Sequence, residues 1–449
     1  MLRVKNGLLV LASFLFTSSI PLIEIDSNPD LNKILNVKNV EYGSHNFVYS
    51  KLQISESSKI LLATLNVDYP EVIWKHSSFD ERPTMVKIVP SVDSNLRDGF
   101  YKIKFFKDLI IIEFMDKSGL IYSFDTLIRF LEQNKGTTSV KQIIDYPDIN
   151  RRFVHLVLPK KKNESLNNLI ELSRLHRFNG VILQIKDRMQ IEESDSANWS
   201  VRDIAKIKEI CHNYGMRFIV EIKFLTHQNK SVFKNQKLIN KHTYDPLDSI
   251  INLQIIKILD IINNEIGPDG VHIGFDELHG YRNDIQRRII SNKLQYRKYF
   301  DHLTYLYDIL AKRNLEVYMW ADMLMNPEEF PNLTAHGFSE ILRIIPDIPE
   351  SLILCDWQYW SYDDYSSHKF LSSKGNMVFA STWCNTNSID GYLNYVKVEK
   401  KFSESSMLCT TWPGALLNKR EKIIRKGCDL LSAEAIIEYS GDRFWGCKN

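Results

Sequence analysis

The sequence has few of the features that mark several common functional classes. Its six cysteines include no C-x-x-C pair and no spacing typical of metal ligands, which argues against a zinc site. The formal net charge of +2 gives no reason to expect nucleic acid or an anionic membrane as a partner. We therefore predict no metal and no cofactor. Among the cysteines, Cys428 and Cys447 are the pair that we would test first for a disulfide.

Long hydrophobic runs are also scarce, and the clearest one lies at the N-terminus. Basic Arg3 and Lys5 precede an apolar run at 7–16, and small residues follow at 17–19. This is the layout of a secretory signal peptide over residues 1–21, and the run is too short for a comfortable membrane span. We expect an exported protein (periplasmic, extracellular or in the secretory pathway) with no stable membrane insertion after signal removal. The alternative is a buried N-terminal element or an uncleaved anchor.

The remaining composition is that of a globular protein. Of the 449 residues, 44% are apolar and 25% are charged, and the length suits one large barrel with an accessory domain. Residues 22–145 alternate strands with turns before a helix-like segment at 122–131, which predicts a small α/β accessory domain. From residue 146 to 449, strands alternate with helical stretches, which is typical of a parallel α/β sheet or barrel.

Eight candidate strands occur in this second region. They are Phe153–Leu158, Gly180–Lys186, Arg217–Lys223, Gly270–Ile273, Glu316–Trp320, Ser351–Asp356, Asn376–Ala380 and Met407–Thr411. Helix-length segments between them include Val201–Tyr214, Leu247–Glu265 and Leu294–Arg313. Eight such units predict a (β/α)8 TIM barrel, whose active site lies at the C-terminal strand ends.

Polar and aromatic side chains follow these strands, as that geometry requires. The second and third strands lead to Asp187 and His227, and a tryptophan follows each of the last four: Trp320, Trp357, Trp383 and Trp412. A single tryptophan after a strand is most simply explained by packing. Four at corresponding positions indicate an aromatic-lined sugar pocket.

Two adjacent carboxylates, Asp276 and Glu277, directly follow the fourth strand. Neighbouring acids repel each other, which tends to raise one pKa and leave the other group ionised. Glycosidic bond cleavage uses this division between a proton donor and a charge stabiliser. The alternative is that the pair caps the following helix, which is the common role of an arbitrary Asp-Glu pair.

His272-Ile273-Gly274-Phe275-Asp276-Glu277 resembles the His-x-Gly-Gly-Asp-Glu motif of the family 20 glycoside hydrolases, the β-N-acetylhexosaminidases. The likeness is greatest to the hexosaminidase D-like branch, in which the second glycine is replaced. Looser matches lie on the other strands, at 152–156, 179–183, 219–222, 319–324 and 408–412. The resemblance extends from about residue 25 to residue 445.

The resemblance implies an exo-acting hydrolase that removes terminal β-linked GlcNAc or GalNAc from glycans or chito-oligosaccharides. In this family the substrate's own acetamido oxygen is the nucleophile and forms an oxazolinium intermediate, with retention of configuration. Glu277 would be the general acid and then the base, and Asp276 would orient the acetamido group. Tyr359 would donate to the acetamido oxygen, although Tyr362 and Tyr365 compete for that role.

Further roles follow from the resemblance alone. Arg152, favoured over Arg151, would hold sugar hydroxyls, and Asp187 with His227 would support the acid. The N-acetyl pocket would be enclosed by Trp320, Trp357 and Trp412, with Trp383 a less certain wall. By contrast, His155 and His272 are interpreted as core histidines.

Some positions depart from the family pattern, namely Val157, Phe275 and Pro413-Gly414. They leave the preferred sugar open, and they motivate an alternative from another class. In that alternative, the chain is a catalytically degenerate barrel that binds amino-sugar glycans without turnover. A glycosidase of a neighbouring acetamido-dependent family is disfavoured, because its acids are spaced differently.

Overall fold

A computed structural model describes most of the chain. It covers residues 37–48, 52–65, 67, 84–93, 96–133, 137–185, 189–190, 199–228, 243–278, 296–337, 347–412, 428–430 and 432–446. The predicted signal peptide, Asp187, Pro413 and Cys447 lie outside these ranges. Within them, no helix combines the length and the apolar character that a membrane crossing needs.

The N-terminal part forms a separate mixed sheet with helices. Its strands, in the spatial order β1-β6-β4-β5-β3-β2, are β1 (Asn39–Val48), β2 (Leu52–Ile54), β3 (Thr84–Pro90), β4 (Tyr101–Phe106), β5 (Leu109–Phe114) and β6 (Thr137–Asp145). Two helices accompany them, α1 (Glu56–Thr64) and α2 (Lys117–Gln133). In β4, Tyr101, Ile103 and Phe105 are buried and alternate with partly exposed residues, because successive side chains point to opposite faces of a sheet.

The second part is a closed barrel of eight parallel strands. They follow one another around the barrel in chain order: β7 (Arg151–Val157), β8 (Gly180–Gln184), β11 (Arg217–Phe224), β12 (Gly270–Gly274), β13 (Glu316–Trp320), β14 (Ile353–Trp357), β15 (Val378–Thr382) and β16 (Ser406–Thr410). β16 pairs with β7 and closes the cylinder. A separate two-stranded ribbon joins β9 (Met189–Gln190) to β10 (Trp199–Ser200).

Helices surround this barrel. They are α3 (Ser165–Leu175), α4 (Val201–Asn213), α5 (Ser249–Ile261) with a π-helical turn at Ile262–Ile266, α6 (Tyr296–Ala311), α7 (Ser366–Ser372), α8 (Thr386–Glu399) and α9 (Ala433–Trp445). The predicted (β/α)8 barrel with an α/β accessory unit is confirmed, and each predicted barrel strand overlaps an observed one. The exact domain boundaries, 1–21, 22–145 and 146–449, stay predictions.

The barrel interior consists of two contrasting layers. Near the N-terminal ends, an apolar cluster includes Phe153, Ile182, Ile219, Tyr318, Ile353, Phe379 and Leu408. Two positions further along the same strands the side chains are mainly polar and remain buried: His155, Gln184, Glu221, Trp320, Cys355, Ser381 and Thr410. Since residues i and i+2 share a strand face, both sets point inward. The polar layer lies beneath the C-terminal mouth of the barrel.

Asp145 joins the accessory sheet to the barrel. Its carboxylate accepts hydrogen bonds from Trp445 Nε1 at 3.0 Å and Tyr101 at 2.9 Å, and it pairs with Arg177 at 2.9 Å. Burial raises the pKa of Asp145, although Arg177 opposes that effect. Asp145 therefore joins the last accessory strand, the segment before β8 and the C-terminal helix α9.

The structure contradicts the sugar-binding role predicted for Arg152. Its guanidinium donates to the carbonyl oxygens of Ile149 at 2.6 Å, Asn150 at 2.9 Å and Arg177 at 2.9 Å. These carbonyls precede β7 and β8, so Arg152 lies at the N-terminal end of the barrel, opposite the mouth. Its guanidinium also stacks over Trp445, 5.0 Å from the ring. Position 152 is the second residue of its strand, and a side chain there cannot reach the other end.

The disulfide prediction is also wrong. Cys428 pairs with Cys384, the second residue after β15, and their Cα atoms are 5.0 Å apart. Because a cysteine forms only one disulfide, Cys428 is not available to Cys447, which lies outside the described residues.

We expect Arg152→Met to lower the free energy of unfolding by about 2–4 kcal/mol, because three carbonyl oxygens each lose a hydrogen bond from its buried guanidinium. Arg151→Met is the matched control. Arg151 is half-buried and contacts Glu316 at 3.6 Å, so its removal should cost less than about 1 kcal/mol. Urea unfolding of both variants measures the difference. Equal stabilities would show that Arg152 is not a structural residue.

Candidate active site

The loop after β12 turns through an unusual backbone conformation. Gly274 has φ 75°, Phe275 has φ 68° and Glu277 has φ 47°. For a residue other than glycine, the left-handed region costs about 1–3 kcal/mol and requires support from its surroundings. Tyr299 gives part of that support by donating from its hydroxyl to the Phe275 carbonyl at 3.3 Å.

Phe275 does not crowd the mouth of the barrel, although it stands where the family motif has its second glycine. Its ring is fully buried and packs against Tyr299 and His302 of α6, at ring-centre distances of 5.2 and 5.8 Å. The ring therefore lies in the layer between barrel and helices. Asp276 and Glu277 are left facing the mouth.

Asp276 is held by two cationic residues from β11 and the loop after it. Lys223 Nζ donates to both carboxylate oxygens, at 2.9 and 3.0 Å. His227 Nε2 lies 3.3 Å from the second oxygen and 3.5 Å from a Glu277 oxygen. His227 therefore contacts both acids, as the resemblance implied for one of them.

The charges of this group follow from these contacts. Burial by itself raises the pKa of Asp276, but Lys223 and then His227 outweigh burial and hold the pKa below its ordinary value. Burial lowers the pKa of His227, and the neighbouring Asp276 carboxylate more than reverses this. Asp276 is therefore an anion at neutral pH, which agrees with the division of roles expected for adjacent acids.

Asp322, the second residue after β13, holds Glu277 and one tryptophan. Its carboxylate accepts from the Glu277 backbone N–H at 3.0 Å, from Trp357 Nε1 at 3.2 Å and from His336 Nδ1 at 2.9 Å. The side chain is fully buried. A single carboxylate thus fixes both the main chain of Glu277 and the indole of Trp357.

Four aromatic residues, Trp357, Tyr359, Trp383 and Trp412, form one wall of the mouth, here called the aromatic wall. Tyr359 lies at its centre, with ring-centre distances of 5.1 Å to Trp357 and 5.6 Å to Trp383. Trp412 Nε1 donates to the Tyr359 hydroxyl at 3.0 Å. The competing Tyr365 instead stacks on Tyr392 of α8, 4.2 Å between ring centres.

Beneath the mouth lies a buried polar floor centred on Glu221. Its carboxylate accepts from Trp320 Nε1 at 3.0 Å, contacts His155 Nε2 at 2.5 Å and pairs with Lys223 at 3.0 Å. His272 lies 3.8 Å away, and burial lowers the pKa of His272 to about 3. The Gly274 N–H donates to its Nδ1 at 3.1 Å, so His272 is a neutral core histidine, as predicted.

These contacts form a closed circuit around the mouth. In order, the circuit passes through Asp276, Lys223, Glu221, Trp320, Trp412, Tyr359, Trp357, Asp322 and Glu277. The step from Trp320 to Trp412 is a ring contact at 6.1 Å. The circuit places two carboxylic acids on one side of the mouth and the aromatic wall on the other.

Most of the predicted site residues are brought together here. They are Asp276, Glu277, His227, Trp320, Trp357, Tyr359, Trp383 and Trp412, whereas Arg152 is at the opposite end and Asp187 lies outside the described residues. Trp320 is almost completely buried and belongs to the floor. Sequence reasoning did not assign roles to Glu221, Lys223 or Asp322. Glu221 and Lys223 could have been recognised in the sequence, because they alternate with apolar residues in β11 and therefore share its inward face.

Three side chains of the site are close enough together to share a cation. Oxygen or nitrogen atoms of His227, Asp276 and Glu277 lie within 4.8 Å of one another. The Lys223 ammonium, however, already contacts both oxygens of Asp276. Its positive charge opposes a second cation, so this arrangement suits an organic substrate better than a metal.

Comparison of the sequence with protein-family models and with curated proteins gives no match. Solved structures do match. A β-N-acetylhexosaminidase from Bacteroides fragilis has a TM-score of 0.61 at 14% identity, covering 92% of this chain and 90% of its own. A chitobiase from Flavobacterium johnsoniae has a TM-score of 0.61 at 15% identity, covering 92% and 70%.

A third structure is a family 20 exo-β-N-acetylglucosaminidase from Vibrio harveyi in complex with N-acetylglucosamine. It has a TM-score of 0.59 at 16% identity and covers 90% of this chain and 72% of its own. The protein therefore has the fold of the family 20 glycoside hydrolases. The resemblance seen in the sequence motifs is confirmed at the level of the fold.

The left-handed backbone at Phe275 makes a testable prediction. We expect Phe275→Gly to be more stable than Phe275→Ala by about 1 kcal/mol, because glycine adopts positive φ without strain. The buried strand residue Phe224 is the matched control, where the alanine variant should be the more stable of the two. Thermal unfolding of the four variants measures which substitution, glycine or alanine, is the more stable at each position. If the alanine variant is the more stable one at position 275 as well, the positive φ of Phe275 is contradicted.

Proposed function

We propose that this protein is a family 20 glycoside hydrolase that removes terminal β-linked N-acetylhexosamine by substrate-assisted catalysis. The observation that carries the proposal is the circuit of contacts around the mouth. It sets an ionised carboxylate beside a second carboxylic acid, opposite an aromatic wall. Aromatic rings suit the apolar face of a sugar and an acetyl methyl group, and the acids suit the chemistry of its glycosidic bond.

Asp276 is the residue that orients the acetamido group. Its carboxylate is an anion because Lys223 and His227 outweigh the effect of burial on its pKa. An anion accepts a hydrogen bond from the acetamido N–H, which turns the acetamido oxygen toward the anomeric carbon. The same negative charge stabilises the oxazolinium ion that forms. Holding nucleophile and electrophile in one molecule gives the rate advantage of a fixed geometry.

Glu277 transfers the proton. It protonates the leaving oxygen in the first step and accepts a proton from water in the second. Its backbone is fixed by the hydrogen bond to Asp322, and its side chain lies 3.5 Å from His227. Transfer by a positioned acid contributes about 10²–10⁴-fold to the rate.

The aromatic wall and the floor select for the acetamido group. Trp357 and Trp412 enclose the acetyl methyl above the buried Trp320, and Trp383 extends the wall. Tyr359, whose oxygen is fixed by Trp412, donates to the acetamido oxygen. Sugars without the acetamido group lack both the nucleophile and the apolar contact. The substrate class is thus a glycan or chito-oligosaccharide ending in GlcNAc or GalNAc, acted on after export of the protein.

We expect Glu277→Gln to hydrolyse aryl β-GlcNAc or β-GalNAc glycosides at least about 10²-fold more slowly than the wild type, because the amide cannot exchange the proton. Glu329→Gln, in the exposed pair Glu328-Glu329, is the control and should retain full activity. Initial rates on paired substrates measure the loss. Equal rates for wild type and Glu277→Gln would remove Glu277 from the mechanism.

Two further measurements separate this mechanism from other possibilities. NMR of the first-formed product should show retained anomeric configuration, and a thiazoline mimic of the oxazolinium ion should inhibit. Inversion, or indifference to the thiazoline, would exclude acetamido participation. Saturable binding of the same sugars without any turnover would instead favour the catalytically degenerate barrel.

A further inference from the structure

We propose that Lys223 is a positioning residue that fixes the carboxylate of Asp276 and balances its charge against Glu221 in the floor. Its effect on the reaction rests on the proposed function, whereas its effect on Asp276 does not. The family motifs in the sequence do not include this lysine. Its role follows from its contacts alone.

The geometry of Lys223 is that of a bridge between two buried carboxylates. Nζ donates to Asp276 at 2.9 and 3.0 Å and lies 3.0 Å from Glu221 Oε1. The side chain is 8% exposed, and Nζ also lies 5.6 Å from the centre of the Trp320 ring. Contact with both oxygens of Asp276 restrains rotation of the carboxylate about its last bond. A single contact would leave that rotation open.

The charges in the bridge explain why a lysine is compatible with a cationic intermediate. Lys223 alone would cancel the negative charge of Asp276. Glu221, on the other side of the ammonium, restores it, so that the three groups together carry one net negative charge. The pKa of Glu221 is well below its ordinary value, because Lys223 and then His155 outweigh the opposing effect of burial. Glu221 thus offsets the charge of Lys223, while Asp276 keeps a fixed orientation.

Other groups also face this bridge and set its electrostatic environment. They come from β7, from β11 and its following loop, from β12, from α6 and from the segment after β13: His155, His227, His272, Glu277, Tyr299 and Asp322. Of these, His227 is the other cation in contact with Asp276. Removing Lys223 therefore leaves Asp276 with one cation and with the full effect of burial, which raises its pKa.

The kinetic test compares Lys223→Met with Lys223→Arg. We expect Lys223→Met to lower kcat about tenfold or more and to move the acid limb of the kcat/KM profile up by about one pH unit or more, because Asp276 then protonates more readily. Lys223→Arg keeps the charge and should return the acid limb toward the wild-type pH. The control is Lys38→Met, which removes a partly buried Lys–Asp pair at 2.8 Å far from the mouth and should leave the profile unchanged.

A second measurement needs no activity. In the wild type, Asp276 has a lowered pKa in the folded state, so it stabilises the fold above its ordinary pKa. In Lys223→Met, burial raises the pKa of Asp276 and Glu221, and the fold should lose stability as the pH rises. The Tm difference from wild type should therefore widen between pH 4 and 7. Adding Asp276→Asn to Lys223→Met should make this Tm difference smaller, because position 276 then carries no unpaired charge.

The outcomes distinguish this proposal from the proposed function. A wild type that hydrolyses neither sugar glycoside contradicts the function, while the Tm profiles still decide whether Lys223 fixes Asp276. If Lys223→Met and Lys38→Met show the same acid limb and parallel Tm profiles, the proposal is wrong. If Lys223→Met does not fold, the double variant Lys223→Met/Asp276→Asn decides: recovery of folding supports the proposal, and failure of the double variant to fold as well overturns it.

Discussion

The buried ion pair between Lys223 and Asp276 is the interaction on which the arrangement of the mouth depends. Taking either charge out of water alone costs several kcal/mol, so each residue requires the other. Glu221 adds a second carboxylate to the same ammonium at 3.0 Å, and the oxygen that contacts Lys223, Oε1, also accepts a hydrogen bond from the indole of Trp320. Two neighbouring side chains on the inward face of β11 therefore hold the acid after β12 in its charged form and bind the indole of Trp320 on β13.

The two layers of the barrel interior show why this charged group lies where it does. An apolar layer fills the N-terminal half, and in the polar layer above it Glu221 is hydrogen-bonded to His155 and Trp320. Strong interactions between charges require exclusion of water on at least one side. The apolar layer provides that exclusion below, while the mouth stays open above. Arg152 belongs to the closed end, where it ties the barrel to the accessory sheet through carbonyl oxygens and Trp445.

The sequence was sufficient for the fold and for most of the site. Strand positions followed from apolar runs bounded by polar residues, and the acids and tryptophans followed from their places after those runs. Arg152 was misplaced because a motif match does not say toward which end of a strand a long side chain extends. Lys223 and Asp322 were missed because their importance lies in contacts between strands that are far apart along the chain. The Cys384–Cys428 pair was missed for the same reason, since the two residues are 44 positions apart.

Phe275 shows how a departure from a motif can leave the adjacent acids in place. Its backbone has φ 68°, at a cost of about 1–3 kcal/mol that a glycine would not incur. Its ring is fully buried against Tyr299 and His302, and deletion of a buried phenylalanine side chain costs about 3–5 kcal/mol. Burial therefore outweighs strain, and the replacement is stabilising on balance. Because the ring points to the helix layer, the extra bulk does not reach the acids. The departure at this position reflects how the loop is held in place, so it is no argument for a barrel that has lost catalysis.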